Sequence, residues 1–133
     1  MSSSDVEFIR EMLETFNRGD RARSLDYLHD DVELEQWGSL PDFDVYVGKE
    51  EWLRGLRLWL DEFEPDFKFI PEELTDAGDS VVARITLRGR GRASGVEIDQ
   101  EIFHVYEVKD DKLSRCRVFR DEAEARRAAG MED

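Results

Sequence analysis

The sequence predicts an α+β fold in which helices come first and antiparallel strands follow. Three observations carry this reading. Residues 81–108 alternate between apolar and charged positions with a period of two, around a turn at Ser94-Gly95. Residues 49–63 and residues 6–16 carry their apolar side chains at helical spacing instead. Strand signals then continue to residue 120 with no linker, repeat or low-complexity segment between them.

The elements follow in order. Ser4-Asp5-Val6-Glu7 has the form of a capping box, and Val6, Phe8, Ile9, Met12, Leu13 and Phe16 form the stripe of a first helix. Gly19 ends that helix, and Asp20 caps a short second one through Leu25 and Leu28. His29 is expected at the end of this short helix, beside its last carbonyls. Asp31 to Trp37 alternates as a first strand, with Val32, Leu34 and Gln36 on one face. Gly38 to Val47 reads as a loop whose neighbourhood places Trp37, Phe43 and Tyr46 at a rim. Trp52, Leu53, Leu56, Trp59, Leu60 and Phe63 make the stripe of the third helix, which Pro65 stops. Asp66 to Leu74 is strand-like, and Asp76 to Asp79 is a turn. Lys112 to Arg120 is the last strand, and Glu122 to Ala129 a terminal helix.

The hairpin sets the faces. Val81, Ala83, Ile85 and Leu87 are expected inside, with Arg84, Arg88, Arg90 and Arg92 outside. On the return strand Val96, Ile98, Ile102 and Val108 point inward, against Glu97, Asp99 and Glu101 outward. A two-residue loop would set Arg92 opposite Glu97, Arg90 opposite Asp99 and Arg88 opposite Glu101, a charge ladder worth about 0.2–1 kcal/mol per rung. Gln100, His104 and Tyr106 share the apolar face and need hydrogen-bond partners there, so they are the first candidates for a ligand site. For the last turn, a three-residue loop from Lys109 to Asp111 pairs Val108 with Lys112. It turns Ser114, Cys116, Val118 and Arg120 inward and spares Arg115 and Arg117 an unpaired burial. Arg120 then stands near the pocket end of its strand, where it meets an anionic group of a ligand or, alternatively, pairs with Asp121 or Glu101.

Composition narrows the partners. A net charge of −14 argues against nucleic acid and anionic membranes, and the Arg of residues 84–92 are interleaved with acids. No apolar run approaches the ~20 residues of a membrane span, and residues 1–5 do not form a signal peptide. The single Cys116 excludes an internal disulfide and fits a reducing, cytoplasmic setting. Two His and one Cys give no metal-site spacing, so no metal or cofactor is expected. Phe103, Val105 and Phe119 form an apolar patch on the outer sheet face, which predicts a homodimer that covers it.

The element order resembles the SnoaL-like proteins of the nuclear-transport-factor-2 / ketosteroid-isomerase superfamily. Asn17-Arg-Gly-Asp20 after the first helix, Tyr46-Val-Gly-Lys49 before the third, and the closing Val118-Phe-Arg-Asp121 carry the likeness. It spans residues 5–130 as one domain and implies a curved antiparallel sheet wrapped around a long helix, a cone with an open pocket (an NTF2-like or cystatin-like α+β barrel). Gly89 and Gly91 suit the bends of such a sheet. Dimers through the outer sheet face are common in that superfamily. Its isomerases use a tyrosine and a protonated aspartic acid as an oxyanion hole and a second aspartate as base. Those positions match Met12, His104 and Gln36 here, and the aspartate of its epoxide hydrolases matches Val118. Met12 donates nothing and Gln36 is no base, so the resemblance leaves His104 alone for proton transfer.

The implied pocket is lined by Met12 and Trp52 from the helices and by Gln36, Ile85, Ile102, His104, Tyr106, Cys116 and Val118 from the strands, with Arg120 at its end. The expected ligand is a small apolar or ring-like molecule with one or two polar groups. Two functions follow: a small-molecule-binding protein, or an isomerase-, cyclase-, dehydratase- or hydrolase-type enzyme with His104 as general acid/base and Gln36 as its orienting partner.

Overall fold

The computed structural model describes residues 2–36 and 44–131. Helix α1 runs Ser2–Asn17, two residues ahead of the expected cap, and α2 spans Arg21–Ser24 with Asp20 accepting from the Arg23 N–H. Strand β1 (Leu28–Gln36) and strand β2 (Asp44–Val47) precede α3 (Lys49–Leu60). Strands β3 (Lys68–Asp76), β4 (Val81–Arg90), β5 (Glu97–Lys109) and β6 (Lys112–Phe119) lead to α4 (Glu122–Ala128).

The six strands form one open, curved sheet in the order β2-β1-β6-β5-β4-β3, antiparallel except where β1 runs parallel to β6. Helix α1 packs along β3 and β4, and α3 against β1 and β2. The alternation of the sequence decides what each face holds. Val81, Ala83, Ile85 and Leu87 are buried with Ile9, Met12 and Leu13 of α1 on the concave side. Gly89 lets that side close: a Cβ there would stand 2.9 Å from a Phe67 ring carbon, and Phe67 stacks on Phe63 with centroids 4.9 Å apart. Asn17, at the end of α1, donates to the Phe69 carbonyl (2.8 Å) and accepts from the Phe69 N–H (3.0 Å).

Several expectations change. The loop from Gly38 lies outside the described residues as far as Phe43, with Trp37, but Asp44–Val47 is a strand paired with β1. Tyr46 is buried against Gly55 of α3 rather than standing at a rim. His29 belongs to β1, and its Nδ1 accepts from the Asp31 N–H (3.1 Å). The β4–β5 loop spans residues 92–95, two residues more than expected, so the ladder slides by two: Arg90 pairs with Glu97 and Arg88 with Asp99, while Arg84 reaches Glu101. A slide of two leaves the paired side chains on their own faces, but Val96, expected inside, falls before β5 and is exposed. Gln100 keeps the inner parity, opposite the buried Leu87, but is exposed and does not line the cavity.

The last turn is also different. Only Asp110 and Asp111 connect β5 to β6, both with positive φ (54° and 62°), the geometry of a tight hairpin turn. That turn alone would send Arg115 and Arg117 inward. A bulge at Ser114, opposite Glu107 and Val108, inserts one residue and restores Cys116 and Val118 to the concave side. Arg115 and Arg117 therefore stay outside, where Glu35, which is buried, takes Arg115 Nε at 2.7 Å and Glu107 takes Arg117 at 3.3 Å.

The outer apolar patch is covered from within the chain. Phe103, Val105 and Phe119 are buried together with Val82 and with Ala125 of α4, and Ala128 and Met131 pack on them. The surface that argued for a homodimer is thus occupied by the protein's own helix, whose end Arg117 ties down through the Ala128 carbonyl (3.2 Å).

Candidate functional site

A cavity of about 100 Å³ lies on the concave side, between the sheet and helices α1, α2 and α3. Strand β5 supplies its floor. Ile102, His104 and Tyr106 follow one another at every second residue, so a single strand direction aims all three into the cavity. Strand β6 adds Val118 opposite His104 and Cys116 opposite Tyr106. Met12, Leu13 and Phe16 come from one face of α1, and Trp52, Gly55 and Leu56 from α3.

His104 and Tyr106 are the polar centre of this apolar space. His104 Nδ1 stands 2.6 Å from the Tyr106 hydroxyl, and both side chains are buried. The imidazole is flanked by the Phe69 ring, whose centroid is 6.0 Å away, and it faces Ala83 across the β4–β5 pairing. Desolvation pushes His104 down from 6.5 to about 4, so it is neutral at pH 7. Burial, and then the neighbouring Cys116, push the Tyr106 phenol well above its usual value, and burial raises the Cys116 thiol. All three groups are uncharged at neutral pH. The environment suits hydrogen bonding far better than proton exchange.

Seven of the expected lining residues meet here: Met12, Trp52, Ile102, His104, Tyr106, Cys116 and Val118. Ile85 is fully buried in the core next to Ile102 and does not reach the cavity. Arg120 lies one residue beyond β6 and is exposed, outside the cavity, because the strand ends at Phe119 before the chain turns into α4. The Gln36 backbone pairs with Val118, while its side chain lies outside the described residues. Leu28, Leu34, Phe69 and Leu87 also line the cavity, together with Ser24. Leu34 and Leu87 were marked by alternation alone, whereas Ser24 and Phe69 carried no signal that distinguishes a pocket wall from ordinary packing. Among the described residues no cluster of His, Cys, Asp or Glu could hold a metal ion, and no helix is long and apolar enough to cross a membrane.

A curved sheet closed by helices around an apolar cavity defines the class of cone-shaped α+β proteins. Residues 9–116 match the model of the SnoaL-like domain, and the chain belongs to that family. Solved structures agree on the fold. Bal32a, from a soil-derived mobile gene cassette, superposes with a TM-score of 0.78 at 17% identity, covering 93% of this chain and 94% of its own. A Mesorhizobium loti protein described as a SnoaL-like polyketide cyclase gives 0.65 at 21% identity over 90% and 99%. TerC, co-crystallised with polyporic acid, gives 0.72 at 20% identity over 94% and 97%. No curated protein sequence matches the chain significantly.

Proposed function

We propose that this protein binds a small, largely apolar, ring-like molecule in the concave cavity, with His104 as the polar contact. One observation carries the reading: a cavity walled by apolar side chains contains a buried imidazole with a single hydrogen bond among the described residues, to Tyr106. Packing alone would favour an apolar residue at that position, since an imidazole costs desolvation. TerC, which shares the fold, was co-crystallised with polyporic acid, which supports reading this protein as a binder of small molecules.

The catalytic alternative has His104 moving a proton. Burial opposes it: with its pKa lowered to about 4, the ring is a weak base at pH 7 and is not present as the imidazolium acid. The binding reading also fits a cytoplasmic setting, in which a buried Cys116 stays a thiol.

The test is a titration with ethylbenzene followed by backbone amide NMR. Shifts are expected at residues 102–106 and 116–118, with saturation. Val118→Trp fills the cavity opposite His104 and should weaken binding at least about 10-fold, at a stability cost of about 1–3 kcal/mol. Shifts scattered over the outer face, or equal affinity in the filled variant, would remove the cavity from consideration.

A further inference from the structure

The His104–Tyr106 contact admits two proton arrangements. In one, the phenol donates to Nδ1 and the imidazole proton sits on Nε2. In the other, Nδ1–H donates to the phenol oxygen, and the phenol hydrogen has no acceptor in an apolar interior. Among the described residues Tyr106 has no hydrogen-bond partner except His104. The second arrangement thus strands a buried donor, which costs well beyond the ordinary net value of a hydrogen bond. An sp² imidazole nitrogen is also a better acceptor than a phenol oxygen. Counting bonds in this way assigns the tautomer: Nδ1 bare, Nε2 protonated. With Nδ1 committed to Tyr106, Nε2 is the ring atom left for a ligand in the cavity that His104 lines.

The rest of the lining limits what can meet that donor. Among the described lining residues there is no Lys, Arg, Asp or Glu. The Ser24 hydroxyl gives its proton to the Arg21 carbonyl at 2.7 Å and so offers a ligand no donor there, and Arg120 is exposed elsewhere. An anion or an ammonium entering the cavity would lose its hydration without gaining a counter-charge.

We propose that Tyr106 is a positioning residue that fixes His104 as the Nε2–H tautomer, so that the cavity presents a hydrogen-bond donor and selects neutral ligands bearing an acceptor oxygen. This rests on the cavity being the ligand site. Tyr106 acts through His104 and touches no reacting atom. Its hydroxyl carries the selectivity by deciding which ring nitrogen keeps the proton.

Three one-ring probes and one spectrum test this. Two-bond ¹H–¹⁵N correlation of the wild-type imidazole should show Nδ1 as the unprotonated nitrogen and Nε2 as the protonated one. In Tyr106→Phe the two tautomers should exchange, a change that loss of packing alone does not produce. Ethylbenzene and acetophenone should both bind, and benzoate should bind at least about 100-fold more weakly than acetophenone. Acetophenone's affinity relative to ethylbenzene should fall about 3- to 10-fold in His104→Phe, the equivalent of one hydrogen bond, and by less in Tyr106→Phe. Both neutral probes failing to bind would overturn the cavity reading, and this inference with it. Ethylbenzene and acetophenone binding with an unchanged ratio in His104→Phe, benzoate binding as well as acetophenone, or a wild-type proton on Nδ1 would overturn this inference alone.

Discussion

The two faces of the sheet bury polar groups in opposite ways. On the convex face Glu35 is enclosed, yet Arg115 meets it directly, Glu107 links Arg115 to Arg117, and Arg117 reaches the end of α4. On the concave face the buried pair is neutral, and His104 keeps one ring nitrogen without a hydrogen bond among the described residues. The convex network binds parts of the chain to one another, with Arg117 Nε buried there without a hydrogen bond among the described residues and facing no cavity of the concave kind. The concave pair leaves bonding capacity unspent in a space that holds nothing of the protein. That contrast, more than burial itself, separates a group that builds the fold from one that serves a ligand.

Removing α4 tests the convex side most severely. A chain ending at Arg120 uncovers Val82, Phe103, Val105 and Phe119. We expect a loss on the order of 3–5 kcal/mol in urea unfolding and self-association above that of the intact chain in light scattering. Unchanged stability and mass would mean that the helix covers nothing of consequence.

The concave side is tested by acid. His104 titrates near 4 when folded and near 6.5 when unfolded. Between those values the unfolded chain binds the extra proton, so stability is intact above about pH 6.5 and falls as the pH drops toward 4. The loss is on the order of 3 kcal/mol from this residue. Urea midpoints at pH 7 and pH 4.5 should therefore diverge much less in His104→Gln than in the wild type; parallel divergence would assign the acid sensitivity elsewhere.

Arg115→Ala leaves Glu35 enclosed without its main cation and should cost about 2–3 kcal/mol in equilibrium unfolding. A cost under about 0.5 kcal/mol would place Glu35 among ordinary surface acids. The smallest effect belongs to the exposed ladder: Arg90→Ala removes a 3.0 Å contact to Glu97, both half exposed or more, and should change stability by less than about 0.5 kcal/mol.

Much of this contrast was legible in the sequence, and the failures have a common cause. The alternation of Val81 to Leu87 and of Ile102 to Tyr106 assigned both faces correctly, because burial on one side makes a slip of one residue costly. Hairpin ends carry no such penalty. The loop at residues 92–95 slid the ladder by two, and the Asp110-Asp111 turn with the Ser114 bulge reached the expected faces by a different path. Strand β2 has only four residues, too few for periodicity to mark. The role of α4 was hidden because Ala125, Ala128 and Met131 look unremarkable until their partners on β4, β5 and β6 are known. Arg120 was misplaced since a strand's last residue depends on where the next helix begins.

The amide of Asn17 has a consequence for life in a concentrated solution. Strand β3 is an outer edge of the sheet, and an edge offers unpaired peptide groups to any passing strand. By giving and taking one hydrogen bond with the Phe69 backbone, the side chain imitates a short stretch of neighbouring strand and occupies the spot where another molecule would start to zip on. At the opposite border β2 is brief, and the Glu51 carboxylate occupies the Val47 N–H at 3.1 Å. Each border of the open sheet thus carries a local plug against stacking into fibrils.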